Sequence, residues 1–157
     1  MARKPITQQG MDNLEVELKQ LKTVERPQVI EQIAIARDHG DLKENAEYHA
    51  AREKQGFIEG RIAELESIQA TSDVIDIRAL SGSRVVFGAV VKIIDDDTEK
   101  EATYQLLSEY EADLEQGKIS FTSPIAKALI GKEEGDMVEI ITPSGSKHYE
   151  ILDVTFG

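Results

Sequence analysis

The chain has 157 residues, no cysteine, a formal net charge of −12, and 40% hydrophobic against 31% charged residues. That length suits one mid-sized domain or two small ones, with enough apolar content for a core beneath a highly charged surface. So acidic a chain is a poor general ligand for nucleic acid, which is held through a basic face. Without cysteine it has no disulfide, thiolate nucleophile or Cys-based metal centre.

The start, MARKPITQQGMDNLEVEL, lacks the apolar stretch of a signal peptide. No apolar run approaches the ~20 residues needed to cross a bilayer, so a cytosolic protein with no membrane partner is expected. The first half then takes up a helical period. Leu14, Leu18, Leu21, Val24, Ile30 and Ile33 make an apolar stripe, with Thr7 placed to cap its start. Pro27 falls inside the pattern and predicts a kink or break, with the helix resuming from Pro27 in its first turn. A second helical stretch runs from Ala46 and Ala50 through Phe57, Ile58, Ile62 and Leu65 to Ile68, with its small residues nearest the bend. The arms, from about Gly10 to Gly40 and from about Lys43 to Ala70, match in length at up to ~45 Å. Two such stripes joined by a short glycine-containing turn predict an antiparallel coiled-coil hairpin whose tip is His39 to Glu44.

After Ser72 the pattern becomes period two and β-branched: Val74 to Ile77, Ser83 to Gly88 and Ala89 to Ile94. An acidic turn from Asp95 to Glu101 precedes a strand at Ala102 to Leu107. Ser123 and Pro124 open a short helix over Ile125 to Ile130, stopped by Gly131. Met137 to Ile141, the turn at Pro143, Ser144 and Gly145, and Tyr149 to Phe156 read as a closing hairpin. The expected class is α+β, with a helical hairpin over 1–75 and a sheet-rich unit over 76–157. The first part holds ten basic and fourteen acidic residues, net −4, and the second eight and sixteen, net −8.

The bend collects the reactive side chains: RDHGDLKENAEYHAAR, Arg37 to Arg52. Charged residues at a hairpin bend are ordinarily solvated, and Asp41 would serve as a helix cap with Glu44 three residues on. The other reading is chemical. On a helical turn Asp41 and Glu44 point the same way, and two carboxylates are hard oxygen ligands suited to magnesium. They are too few to hold it well, and an exposed tip offers no dry cavity. If the tip takes part in catalysis, another molecule must supply the cavity, the substrate and the remaining ligands. Arg37 and Arg52 would either pair with neighbouring carboxylates or steer a phosphate chain, with Lys43 assisting. Tyr48 and His49 fit packing or rim positions better than ligand positions, and His39 fits a turn.

ARDHGDLKENAEYHAAREKQGFIEGRI, from Ala36 to Ile62, closely resembles the tip of the Gre transcript-cleavage factors of bacterial RNA polymerase. SPIAKALIGKEEGD from Ser123 to Asp136, ITPSG around Pro143, and VIDIRAL followed by VVFGAVV resemble the same family's C-terminal domain, so the likeness runs along the whole chain. The resemblance implies an FKBP-like C-terminal unit with an antiparallel sheet, and a hairpin that enters the polymerase secondary channel. It implies catalytic roles for Asp41 and Glu44, which would share the polymerase's second Mg²⁺ and position a water that cleaves backtracked RNA. No cofactor is then expected on the chain alone, and the metal site forms only in the complex. It further implies that Arg37 and Arg52 contact the extruded 3′ end of the RNA, and that Ser123, Pro124 and Ile125 dock on the channel rim. For Ile125, Ala126 and Leu129 the alternative is plain core, and for Leu129 that alternative is favoured. The family also contains inhibitors with additional acidic residues at the tip; Leu42 and Lys43 between the two carboxylates favour the cleavage-stimulating type. The modest basic patch fits the family's less basic type, which favours short cleavage products. Two other readings stay open, a hairpin that merely blocks the channel and a prolyl isomerase with a helical handle. The absence of tryptophan argues against the second.

Overall fold

The computed structural model describes residues 3–40 and 44–156. The elements in chain order are β1 (Lys4–Thr7), α1 (Gln8–Gln20), a π-helical turn (Leu21–Glu25), α2 (Arg26–Arg37), α3 (Ala46–Thr71), β2 (Ser72–Ile75), β3 (Ala89–Asp95), β4 (Glu101–Leu107), β5 (Lys118–Ser120), α4 (Pro124–Leu129), β6 (Met137–Thr142) and β7 (Gly145–Phe156). They fall into two compact units. One is Met11–Ser72, and the other joins the described residues up to Gly10 to those from Asp73 onward. The expected boundary at residue 75 thus moves to 72, and the N-terminal segment changes sides, because β1 forms a two-stranded sheet with β2.

In the hairpin, Thr7 caps α1 as expected, its Oγ1 accepting from the Gly10 amide at 3.0 Å. The irregularity announced by Pro27 takes the form of a π turn just before it. Arg26 N–H donates to Leu21 O, one residue further back than in an α-helix. This adds about one residue to the path, and the burial pattern records it. Leu14, Leu18 and Leu21 are buried before the turn, and Val29, Ile33 and Ala36 after it. Leu21 and Val29 lie eight positions apart, where an unbroken helix returns to the same face after about seven. Beyond Leu21 the stripe read from sequence holds at Ile33 but fails at Val24 and Ile30, which are exposed, and Val29 takes the place of Ile30. On α3, Ala51, Ile58, Ile62 and Leu65 face inward, whereas Phe57 is 70% exposed. The buried small residues near the bend are Ala36 and Ala51, not Ala46 and Ala50.

Ion pairs cross the shaft between the arms. Arg26 grips Glu59 with two bonds of 2.8 and 2.7 Å. Arg61 holds Glu17 at 2.7 and 3.1 Å, and Lys22 meets Glu66 at 3.0 Å. The hydrogen bond from Arg26 holds the Glu59 carboxyl below its ordinary range, and Glu59 in turn raises the guanidinium.

The other unit carries a five-stranded sheet in the order β5-β4-β3-β7-β6. It is antiparallel except at β4–β5, which pair in parallel through Gln105↔Lys118 and Leu107↔Ser120. The expected antiparallel sheet thus carries one parallel edge strand. β3 alternates strictly, with Ala89, Val91, Ile93 and Asp95 buried. The inward residues join Leu106, Ile119, Ala126, Leu129, Ile151 and Val154 in one core. Ser83 to Gly88, expected as a strand, makes only a bridge, Arg84↔Glu133. Its strand-like pattern comes from Val85, which is fully buried and exchanges backbone bonds with Lys132 O (2.7 Å) and Gly131 N (2.8 Å). β2 ends at Ile75, and Asp76 then caps a short 3₁₀ turn, Ile77–Ala79. The closing hairpin is tighter than expected, with Thr142 paired to Gly145 across Pro143 and Ser144.

Where the first strand leads into α1, the Glu111 carboxylate gathers the Thr7 hydroxyl, the Thr7 amide (3.4 Å) and the Ser108 hydroxyl (2.7 Å). A carboxylate at a helix N-terminus is favoured by the helix dipole, and this one fastens the N-terminal segment to the sheet unit.

Candidate functional site at the hairpin bend

α2 unwinds over its last turn by tightening its bonds. The amides of Asp38, His39 and Gly40 donate to Ile35 O, Ala36 O and Arg37 O at 3.2 Å each, i to i−3 contacts that end a helix. Gly40 then takes φ 105°, which an L side chain rarely adopts, and the chain leaves the helix axis. α3 starts at Ala46 behind an N-cap, and the cap is Asn45. Its Oδ1 accepts from the Tyr48 amide at 3.0 Å, while its Nδ2 donates to Ala36 O at 2.6 Å.

This corrects two expectations. Asp41 is not needed as the cap of the second helix, because Asn45 fills that position. Glu44 lies outside the helix, one residue before the cap, so the argument that Asp41 and Glu44 share a helical face loses its helix. Asp41, Leu42 and Lys43 lie outside the described residues; Glu44 is exposed. Among the described residues, no three His, Asp or Glu side chains converge as a metal site. The donors that the reading assigns to a metal are oxygens of the right hardness for Mg²⁺, but only as a fraction of its six ligands.

The two arginines do come together. Arg37, the last residue of α2, and Arg52, two turns into α3, line one hollow of about 250 Å³ with Ile30, Ile33, Ala34 and Gln55. Both are exposed, and neither pairs with a carboxylate among the described residues. The alternative in which they neutralise neighbouring Glu or Asp therefore fails there. Arg37 instead lies over the Tyr48 ring, 5.9 Å from its centroid, and Tyr48 meets His49 edge-on at 5.6 Å. Tyr48 is half-buried, a packing residue as expected, and His39 stands in the turn.

At the third expected site, Ser123 Oγ accepts from the Ala126 amide at 3.3 Å and is occupied as the cap of α4. Pro124 is exposed; Ile125 is half-buried against the core, and Ala126 and Leu129 are fully buried. The surface available to a partner in this segment is thus Pro124 with the outer side of Ile125. Sequence reasoning missed Asn45. The signal was present, an asparagine immediately before the helical period, but an aspartate four residues earlier offered a competing cap.

Residues 4–74 match the family described as transcription elongation factor, N-terminal, and residues 80–156 match transcription elongation factor, GreA/GreB, C-terminal. The chain is 60% identical over 154 residues to transcription elongation factor GreA of Phenylobacterium zucineum, covering 98% of each chain. It is 57% identical over 157 residues to the protein of the same name from Rhodospirillum rubrum, covering all of both. Among solved structures, GreA factor homolog 1 of Thermus thermophilus aligns with 98% of this chain and 99% of its own, at 24% identity and a TM-score of 0.46. The chain belongs to the GreA/GreB family of transcription elongation factors.

Proposed function

We propose that the protein is an elongation factor whose hairpin enters the secondary channel of bacterial RNA polymerase and stimulates the polymerase's own cleavage of backtracked RNA. The observation that carries this reading is the bend. An exposed carboxylate, Glu44, and two arginines without carboxylate partners among the described residues stand at the end of a stalk on which Lys22, Arg26 and Arg61 are each paired with a glutamate of the facing arm. A surface kept unneutralised in this way is suited to charges brought by another molecule.

In this reading Glu44 and Asp41 are oxygen donors for a magnesium ion held jointly with the polymerase, and the polymerase supplies the dry cavity. Magnesium bound there would supply stabilisation of the charge on the attacking and leaving oxygens of a phosphodiester hydrolysis. One of the two carboxylates orients the attacking water and accepts its proton. Arg37 and Arg52 hold phosphates of the extruded 3′ segment, and the guanidinium geometry suits paired oxygens. The chain is not an enzyme alone, because an exposed tip cannot exclude water. Pro124 and Ile125, on a helix start fixed by Ser123, dock on the channel rim. The working compartment is the cytosol.

The test uses a purified elongation complex stalled in a backtracked state, with RNA labelled at its 5′ end. Adding the protein with Mg²⁺ is expected to shorten the RNA by a few nucleotides, and Asp41→Ala or Glu44→Ala to remove most of that effect while binding persists. Binding without shortening would replace this reading with a factor that only occupies the channel.

A further inference from the structure

We infer that Asn45 is a positioning residue for Glu44, acting as a two-way staple between the hairpin arms; the inference rests on the role proposed for Glu44. Each helix end at the bend has a backbone group without an intrahelical partner. Asn45 satisfies one of each. Its carbonyl oxygen takes the Tyr48 amide of α3 at 3.0 Å, and its amide nitrogen gives a hydrogen bond of 2.6 Å to Ala36 O of α2.

That combination needs an acceptor and a donor on one short, planar side chain. Aspartate and serine keep the acceptor that caps α3, but aspartate has no proton for Ala36 O and serine does not reach as far. Ala36 O also receives the His39 amide at 3.2 Å, so the staple lands where α2 is already unwinding. A second tie runs beside it, from Arg37 to the face of Tyr48. The bend is thereby closed from Ala36 to Asn45, and Glu44 is the next residue back from the fixed end. With Asn45 held at φ −88° and ψ 96°, the direction in which the chain passes back to Glu44 is set. An exposed carboxylate with no partner among the described residues needs such support if it is to meet a metal and a water brought by another molecule.

The informative variant is Asn45→Ser, which retains the helix cap and removes the bond to Ala36 O. Asn45→Ala, which removes both, is the companion. Each is compared with the parent chain and Glu44→Ala on backtracked elongation complexes. Four quantities are measured: the concentration for half-maximal stimulation, the maximal cleavage rate, the Mg²⁺ midpoint, and hydrogen exchange at the Tyr48 amide in the free protein.

For Asn45→Ser the expectation is an unchanged half-maximal concentration, a maximal rate lowered roughly tenfold, a Mg²⁺ midpoint raised roughly tenfold, and Tyr48 protection close to the parent's. Asn45→Ala should match it in rate and midpoint and also lose Tyr48 protection. Parent-like rate and midpoint in Asn45→Ser would overturn the inference, leaving Asn45 a helix cap only. So would a rate that falls in step with binding, the mark of a merely structural role. Failure of the parent to stimulate, or full activity in Glu44→Ala, would instead sink the assignment of Glu44.

Discussion

The shaft and the bend of the hairpin use the same two residue types, arginine and glutamate, in opposite ways. On the shaft Arg26 and Arg61 are closed into forked pairs with Glu59 and Glu17 on the facing arm. At the bend Arg37 and Arg52 share a hollow, and Glu44 stands exposed in the turn. Neutralised pairs hold two arms in register and present little field to a partner. Unneutralised charges add nothing to the hairpin's stability and leave attraction for an incoming phosphate or metal. In the function proposed above, the difference lets an acidic chain act on RNA: a local pair of cations without carboxylate partners among the described residues would do what the net charge forbids.

The largest expected effect follows from the bend. On the metal-ligand role proposed for it, Glu44→Ala should lower the maximal cleavage rate at least about a hundredfold, since even the outer partners of a metal site are worth about 10–100-fold, with polymerase affinity within about twofold. Its counterpart on the shaft is Leu65→Ala. Leu65 is fully buried between the arms, and the truncation should cost about 3 kcal/mol in hairpin stability. Below the melting transition that variant should still stimulate cleavage at close to the parent rate. If Leu65→Ala abolished cleavage while folded, the shaft would be doing more than carrying the tip.

The arginines sharpen the contrast. Arg37→Ala and Arg52→Ala should each weaken stimulation about fivefold, with a smaller salt dependence, as expected for exposed phosphate contacts. Arg26→Ala should leave stimulation unchanged and act only on stability. Equal losses from all three would mean that pairing on the shaft does not silence a charge, and the distinction between the regions would fall.

The sequence carried the hairpin well because helical periodicity is a local property. Thr7, Pro27 and the β-hairpin at Pro143 and Ser144 could be read from residue type alone. Beyond Leu21 the inward face was legible only at Ile33; Val29 was missed and Ile30 misplaced, since a π turn shifts the register and leaves only Pro27 as a hint. β5 escaped because a three-residue strand is defined by the neighbour it pairs with, and its parallel partner β4 is not predictable from its own pattern. Ser83 to Gly88 misled for the converse reason. One buried residue, Val85, and two backbone bonds give a strand's pattern without a ladder. At the bend the residue types were legible, as was the contrast between chemical and capping roles. The assignment of the cap was not, because Asp41 and Asn45 are both good N-cap residues and only the point at which the helix starts, with Asn45 Oδ1 accepting from the Tyr48 amide, decides between them.

The smallest expected effect concerns acid, and it separates shaft from bend without touching the bend. Glu59 has its pKa depressed in the folded chain by the hydrogen bond from Arg26. The unfolded chain therefore takes up the proton at higher pH than the folded one, and acidification favours unfolding. The stabilisation is fully present above the ordinary glutamate value of about 4.3 and is lost as pH falls through the lower folded value. Glu59→Gln should flatten that part of the helical melting profile, with only a small change at neutral pH, since both partners are half exposed to solvent. Asp95 provides the control in the sheet unit, its carboxyl held low by the backbone amides of Asp97 and Thr98 at 2.8 and 3.2 Å. Asp95→Asn should leave the acid response of the helical signal in place. A helical signal equally acid-sensitive with and without Glu59 would show that this fork is not what ties the arms together, and the task would pass to the buried apolar residues, Leu14, Val29, Ile62 and Leu65 among them, and to the remaining pairs Arg61–Glu17 and Lys22–Glu66.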